Sequence, residues 1–190
     1  MWKHSSSREY RVKQACSLIH KDQTREVSEG LNNTPIPEGI WKLILRVKLP
    51  IRILTFIWRI LPDSVPVFTT VNRRGIQTST RCMLCDADEE SSTHLFLKCT
   101  FARVVWHGSN LGIRTTAMHY VTLRLLGYIT TNSLTGKAKM ELLQALFTIL
   151  WMLWNNRNMV LHKGQVPNPL EVVLTSQTLI CRYREAFNQA

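Results

Sequence analysis

Apolar side chains recur at three- and four-residue intervals along much of this chain, and the recurrence breaks at identifiable residues. Ile40, Trp41, Ile44, Leu45 and Val47 predict a helix over 40–49. Pro50 pushes Leu49 out of the helical region but is tolerated in the first turn of a new helix. That helix is expected over 50–61, with Ile53, Phe56, Ile57, Ile60 and Leu61 on one side and Arg52 and Arg59 on the other. Pro62 and Pro66 interrupt the chain again, and a short helix over 66–74 should end at Gly75, which is free to take a positive φ. Residues 76–93 are polar and irregular. A helix carrying Phe101, Ala102, Val104, Val105 and Trp106 should start at Cys99 or Thr100 and stop by Gly108 and Asn110.

The clearest helical pattern covers 136–162, where Met140, Leu143, Leu146, Phe147, Leu150, Trp151 and Trp154 recur before Gly164. The last helix has a readable start: Asn168 caps, Pro169 takes the first helical position and Glu171 lies three residues after the cap. It continues through Val173, Leu179, Ile180, Tyr183 and Phe187. Fainter signals predict helices over 6–20 and 118–126, with a loop over 21–37 containing Gly30, Asn32, Asn33, Pro35 and Pro37. The fold class that follows is mainly α: short helices around a Cys/His loop, followed by a long C-terminal helical segment.

Chemistry concentrates in the irregular stretch. Cys82, Cys85, His94 and Cys99 form the pattern Cys-x2-Cys-x8-His-x4-Cys. Three thiolates and one imidazole are a standard structural set for tetrahedral zinc, and the x2 spacing lets one tight turn aim two sulfurs at one ion. On a straight α-helix, residues five apart sit about 140° apart around the axis. A break is therefore expected between His94 and Cys99. The closed set leaves no position for a catalytic water. Ordinary buried thiols are the plainer alternative, and a redox pair lacks the βαβ context that such motifs keep. The remaining cysteines, Cys16 and Cys181, are expected to be buried or inert, and the odd total of five argues against a secreted disulfide framework.

Charge sharpens the picture. The 190 residues carry 24 Lys+Arg and 13 Asp+Glu, a net charge of +11, which favours a polyanionic partner. The excess is uneven: residues 1–60 are net +6, residues 61–110 neutral and residues 111–190 net +5. Hydrophobic residues at 45% and charged residues at 19% exclude wholesale disorder. The apolar run Leu142 to Trp154 is too short for a membrane span, and Met1-Trp2-Lys3-His4-Ser5 leads into polar sequence without the apolar region of a secretory signal, so an intracellular, non-membrane protein is expected. Asp86, Asp88, Glu89 and Glu90 read as a solvated acidic loop. The tryptophans at 41, 58, 106, 151 and 154 are at helical spacing and read as core, with base stacking the alternative. His4, His20, His107, His119 and His162 have no partners at ligand spacing.

A series of landmarks resembles a known family. In order, they are Trp41-Lys42-Leu43, Leu49-Pro50-Ile51-Arg52, Phe56-Ile57-Trp58-Arg59, Val65-Pro66, Asn72-Arg73-Arg74-Gly75-Ile76, Cys82-x2-Cys85, Thr93-His94-Leu95-Phe96-Leu97-Lys98-Cys99 and Val105-Trp106. This arrangement is similar to the zinc-binding domain of plant non-LTR (LINE-type) retrotransposon reverse transcriptases. Tyr10 to Ala15 resembles the element preceding that domain, and Trp151-x2-Trp154-Asn155-x-Arg157-Asn158 the helical segment following it, so the likeness covers residues 9–163. The resemblance implies that Cys82, Cys85, His94 and Cys99 are the metal ligands and Zn2+ the cofactor. Leu61-Pro62-Asp63 departs from the family pattern, so helix two is expected to end early.

The resulting division is an N-terminal element over 1–37, a zinc-binding domain over 38–107 and a helical C-terminal segment over 108–190. With four aspartates in the chain, no paired-Asp polymerase motif or RNase H carboxylate cluster is present. The expected function is a non-catalytic accessory module that binds RNA or DNA without sequence choice. Arg52, Arg59, Arg73, Arg74 and Arg81 are its expected phosphate contacts, and a reverse transcriptase or RNase H domain its possible partner. The alternative is a structural or protein-interaction remnant in which zinc only folds the chain.

Overall fold

Proline positions and buried stripes set the first helices. The computed structural model describes residues 38–115 and 136–188. The helices expected over 6–20 and 118–126, the 21–37 loop, Cys16, His4, His20 and His119 lie outside the described residues. Helix α1 is Glu38–Arg46 and buries Ile40 and Ile44; Lys42, Leu45 and Arg46 stay exposed. Pro50 caps rather than enters α2, Ile51–Ile60, with its backbone extended at φ −54° and ψ 139°. Its missing N–H costs nothing there, because no helical carbonyl is available to it. Helix α2 buries Ile53, Leu54, Phe56, Ile57 and Ile60. It stops before Pro62, and Asp63 turns the chain at φ 52°. The early end expected at Leu61-Pro62-Asp63 is what occurs. Helix α3, Phe68–Arg73, is a turn shorter than its sequence pattern, since Val67 is still extended. Gly75, at φ 85°, ends it, with its N–H donating to the Asn72 carbonyl at 2.9 Å.

Among the described residues there is no strand, only an isolated antiparallel bridge between Arg81 and Glu89 that closes the Cys-bearing hairpin. A short π-type turn over His94–Lys98 leads into α4, Thr100–Gly108, with Cys99 at the N-cap. The wide turn leaves carbonyls to be satisfied from outside. Trp106 Nε1 donates to the Phe96 carbonyl at 2.7 Å, and Thr115 Oγ1 to the Leu97 carbonyl at 2.6 Å.

Helix α5, Gly136–Lys163, is the central post. Every residue from Leu143 to Leu150 is buried, as befits a helix covered on all sides. Gly164 terminates it at φ 62°. Helix α6, Pro169–Asn188, starts as expected: Asn168 Oδ1 accepts the N–H groups of Leu170 at 3.1 Å and Glu171 at 3.3 Å. It packs on α5 and α4, while α2 and the π-type turn pack on another side of α5. Residues from Pro37 to Ala190 cluster as one compact unit. Phe56 sits at the junction, 6.0 Å from Phe96, 5.4 Å from Trp151 and 6.0 Å from Trp154 between ring centres. Trp106 is buried as well. Trp58 corrects the core reading of the tryptophans: it is 43% exposed at the edge of the solvent side of α2, with Trp41 edge-on at 5.6 Å.

A second correction concerns the acidic run. Asp86, Asp88 and Glu89 are exposed, but Glu90 is fully buried and pairs with Arg157 of α5. Arg157 Nη2 donates to Glu90 Oε1 at 2.6 Å, and Nε donates to both carboxylate oxygens at 3.1 and 3.2 Å. The Phe68 N–H at the start of α3 also donates to Oε1, at 3.2 Å. The guanidinium lies over Phe68 at 4.7 Å and over Trp154 at 5.2 Å. The charge is thus matched on every side. Glu90→Ala should destabilise the protein by about 3–5 kcal/mol, because it strands a buried cation. Urea denaturation would measure this, and the double variant Glu90→Met/Arg157→Met should lose much less. Equal losses in both would show that the charge pairing is not the cause.

Candidate metal centre

Two backbone devices bring the four ligand-type side chains together. The first is the Cys82–Cys85 turn. The Asp86 N–H donates back to the Cys82 carbonyl at 2.9 Å, and Asp86 takes a left-handed φ of 53°. Asp tolerates that region better than most residues. On the flanks, the Cys82 N–H donates to the Asp88 carbonyl at 2.9 Å and the Glu90 N–H to the Thr80 carbonyl at 2.7 Å, pinning the hairpin base. The second device is the π-type turn. The Cys99 N–H reaches the carbonyl of His94, five residues back, at 2.7 Å. A five-residue closure stacks His94 and Cys99 on one side, where an α-helix would set them apart. The break expected between them takes this form, with Cys99 then extended at φ −53° and ψ 133°.

The ligand-type atoms of Cys82, Cys85, His94 and Cys99 all lie within 4.8 Å of one another. Cys82 Sγ is 3.9 Å from Cys99 Sγ, and Cys85 Sγ is 3.2 Å from His94 Nε2. Around tetrahedral zinc, two sulfurs stand about 3.8 Å apart, and a sulfur and a nitrogen about 3.5 Å. The donor set and its spacing therefore fit zinc. Cys82, His94 and Cys99 are buried and Cys85 is partly so. His94 Nδ1 faces Asp88 Oδ2 at 3.6 Å, leaving Nε2 toward the sulfurs. A carboxylate behind a ligating imidazole fixes the tautomer and raises the basicity of the other nitrogen.

Without metal the cluster is short of positive charge. Cys82 is held down at about 4, first by the hydrogen bond from Cys99, against burial, and then by His94 and the backbone of Leu84 and Cys85. Cys99 is pushed well above the ordinary thiol range, because it donates to the Cys82 sulfur and because it is buried. Burial opposes a charge on His94, but hydrogen bonds to Cys82 and Cys85 and their negative charge outweigh it and raise the imidazole to about 9. The sulfurs converge on a point that calls for a cation.

The five candidate arginines are all exposed, spread over α2, the end of α3 and the Cys-bearing hairpin. Arg52 and Arg59 share one face of α2. Arg73 and Arg74 follow each other at the end of α3, where Arg73 Nη2 donates to Thr70 Oγ1 at 3.4 Å. Arg81 is tied down, donating to the Asp86 carbonyl at 3.0 Å with the Asp86 carboxylate at 3.9 Å. Cys181 is exposed rather than buried, because it falls on the outer face of α6. The residues that sequence reasoning passed over are Glu90 and Arg157. The available signal was Arg157 at helical spacing from Trp154 and Leu150, on the face those residues share.

Comparison with known proteins agrees with this geometry. The sequence matches the family described as zinc-binding in reverse transcriptase over residues 10–106. It is also similar to an Arabidopsis thaliana protein named "Putative ribonuclease H protein At1g65750", with 23% identity over 105 residues. That alignment takes in 55% of this chain and 16% of the relative, so the chain spans under a fifth of the relative's length. No solved structure matches. The family match covers just over half of the chain and contains all four converging side chains, so the chain belongs to the reverse transcriptase zinc-binding family and zinc is its metal.

Proposed function

We propose that Cys82, Cys85, His94 and Cys99 hold one zinc ion, and that the chain is a non-catalytic accessory module of retrotransposon reverse transcriptase origin. The observation that carries this reading is the closed donor set: three sulfurs and one imidazole nitrogen, mostly buried and within 4.8 Å of one another. Four protein ligands fill a tetrahedral shell, so the ion shapes the chain rather than activating water. The module is taken as residues 38–107, with 108–190 its helical extension. Its thiols call for a reducing, intracellular setting. No helix among the described residues is long and apolar enough to cross a membrane.

The partner in this reading is RNA or DNA, held by phosphate contacts without sequence choice. Its support is the net charge of +11 and the exposure of Arg52, Arg59, Arg73 and Arg74. Trp58, exposed on the solvent side of α2, adds a surface on which a base can stack. A reverse transcriptase or RNase H domain is the protein partner the family suggests. A second reading, protein docking without nucleic acid, is favoured by the apolar side chains Leu45, Ile51 and Trp58, which are 53%, 70% and 43% exposed.

Three outcomes follow. Metal analysis should find one zinc per chain, lost in Cys82→Ser and Cys99→Ser, and chelation should unfold the hairpin and the π-type turn. A metal-free wild type would remove the central assignment. Zinc uptake should release protons. Between pH 5 and 7 the metal-free chain carries a proton on His94, raised to about 9, and on Cys99, also raised, while Cys82, at about 4, is already a thiolate. These protons, and any on Cys85, must leave, so affinity falls as pH falls, by at least about 100-fold per pH unit. Competition titration with a chromophoric chelator measures this, and a flat profile contradicts the ligand set. Finally, Arg73→Gln/Arg74→Gln should weaken oligonucleotide binding equally for all sequences and flatten its salt dependence. Trp58→Ala should cost about 1–3 kcal/mol with single strands and little with duplex. Unchanged affinities in fluorescence anisotropy would favour the docking reading.

A further inference from the structure

Basic residues from either side of the neutral segment 61–110 meet in one recess, which none of the metal ligands lines. Arg46 and Lys48 come from the end of α1 and the residues after it, Lys137 from the first turn of α5, and Arg184 from the last turns of α6. They line a hollow of roughly 370 Å³ whose one acidic side chain is Glu141. Glu141 is already engaged, 3.9 Å from Lys137. The hollow is held in shape by bonds that do not quench its charge. Lys48 Nζ donates to the Phe187 carbonyl at 2.6 Å, and Gln144 Nε2 to the Lys48 carbonyl at 2.8 Å. Arg184 Nε is buried and has no hydrogen-bond partner.

Four cations against one carboxylate in a concave site repel one another. One ligand class relieves this: a tetrahedral oxyanion whose charge is shared by Arg46, Lys48, Lys137 and the Arg184 guanidinium. We propose that this recess is a phosphate-binding site, occupied by a phosphodiester of a nucleic-acid strand. The choice of a strand rests on the nucleic-acid reading above, whereas the phosphate chemistry does not. Arg46 and Lys48 come from before the neutral segment 61–110 and Lys137 and Arg184 from after it, while that segment itself holds the metal ligands.

The test uses the full zinc-loaded chain with two probes: a labelled 20-nucleotide single-stranded RNA followed by anisotropy, and inorganic tripolyphosphate followed by calorimetry. Arg184→Gln should weaken both roughly tenfold. Arg46→Gln/Lys137→Gln, at exposed positions that threaten no packing, should do about the same and lower the RNA salt slope by about one per cation removed. This double variant decides the matter if Arg184→Gln fails to fold. Tripolyphosphate should displace the RNA. RNA binding lost in Arg73→Gln/Arg74→Gln but intact in the recess variants would overturn the recess while leaving the nucleic-acid function standing. Tripolyphosphate binding that Arg184→Gln abolishes, with no RNA binding in the wild type, would keep the phosphate site and overturn its assignment to a strand. Binding of neither probe would overturn the proposal outright.

Discussion

The buried pair of Glu90 and Arg157 is the constraint around which the described structure closes. Its members are 67 residues apart, and both side chains are almost completely withdrawn from water. Neither can be buried alone without a cost that would consume a large share of a small domain's stability. Glu90 sits at the base of the Cys hairpin, its carboxylate receives the first N–H of α3, and its carbonyl receives Thr69. Arg157 is carried by α5 and sandwiched between Phe68 and Trp154. The hairpin, α3 and α5 can therefore reach their final positions only together. Such a pair contributes more to the uniqueness of the packing than to its depth, since a well-packed apolar pair would be at least as stable.

The metal ligands and the ion pair act on opposite ends of the same short segment. Cys82 and Cys85 precede Glu90; His94 and Cys99 follow it. With zinc in place, the hairpin and the π-type turn are joined on one side, and the ion pair ties the strand between them to α5 on the other. The π-type turn is what makes this compatible with a core. It aims His94 at the sulfurs and at the same time delivers Phe96 to the aromatic junction of Phe56, Trp151 and Trp154. Its loosened carbonyls are taken up by Trp106 and Thr115. A metal ligand and a core residue two positions apart could not both be satisfied so simply on an ordinary α-helical turn.

What was legible in the sequence is what is local. Gly75, Gly164 and the Asn168 cap act within a turn of themselves, and their roles follow from φ preferences and one hydrogen bond. The spacing of Cys82, Cys85, His94 and Cys99 is local in the same sense, and it implied a break before Cys99. The kind of break was not implied, because a π-type closure depends on outside donors such as Thr115, 18 residues from its acceptor. Glu90 was illegible for a stronger reason. It ends a run of four acidic residues in a five-residue window, and nothing in the run distinguishes the one that turns inward. Its partner lies on a different helix, so only the assembled fold reveals the pair. Trp58 failed similarly: its recurrence with Ile51 and Leu54 is helical, but the core stripe of α2 is wide enough that the edge position falls on either side of the boundary.

Electrostatics then separates the metal centre from any polyanion. Zinc with three thiolates and a neutral imidazole carries about one net negative charge. The exposed carboxylates of Asp86, Asp88 and Glu89 add to it, and Arg81, the nearest cation in sequence, is held by Asp86. This end of the molecule repels phosphate at short range, where screening by salt is least effective. The exposed cations Arg52, Arg59, Arg73 and Arg74 lie outside this acidic cluster. The support that the metal ligands give the hairpin is continued into the helices by the Glu90–Arg157 pair, which ties the hairpin base to α5.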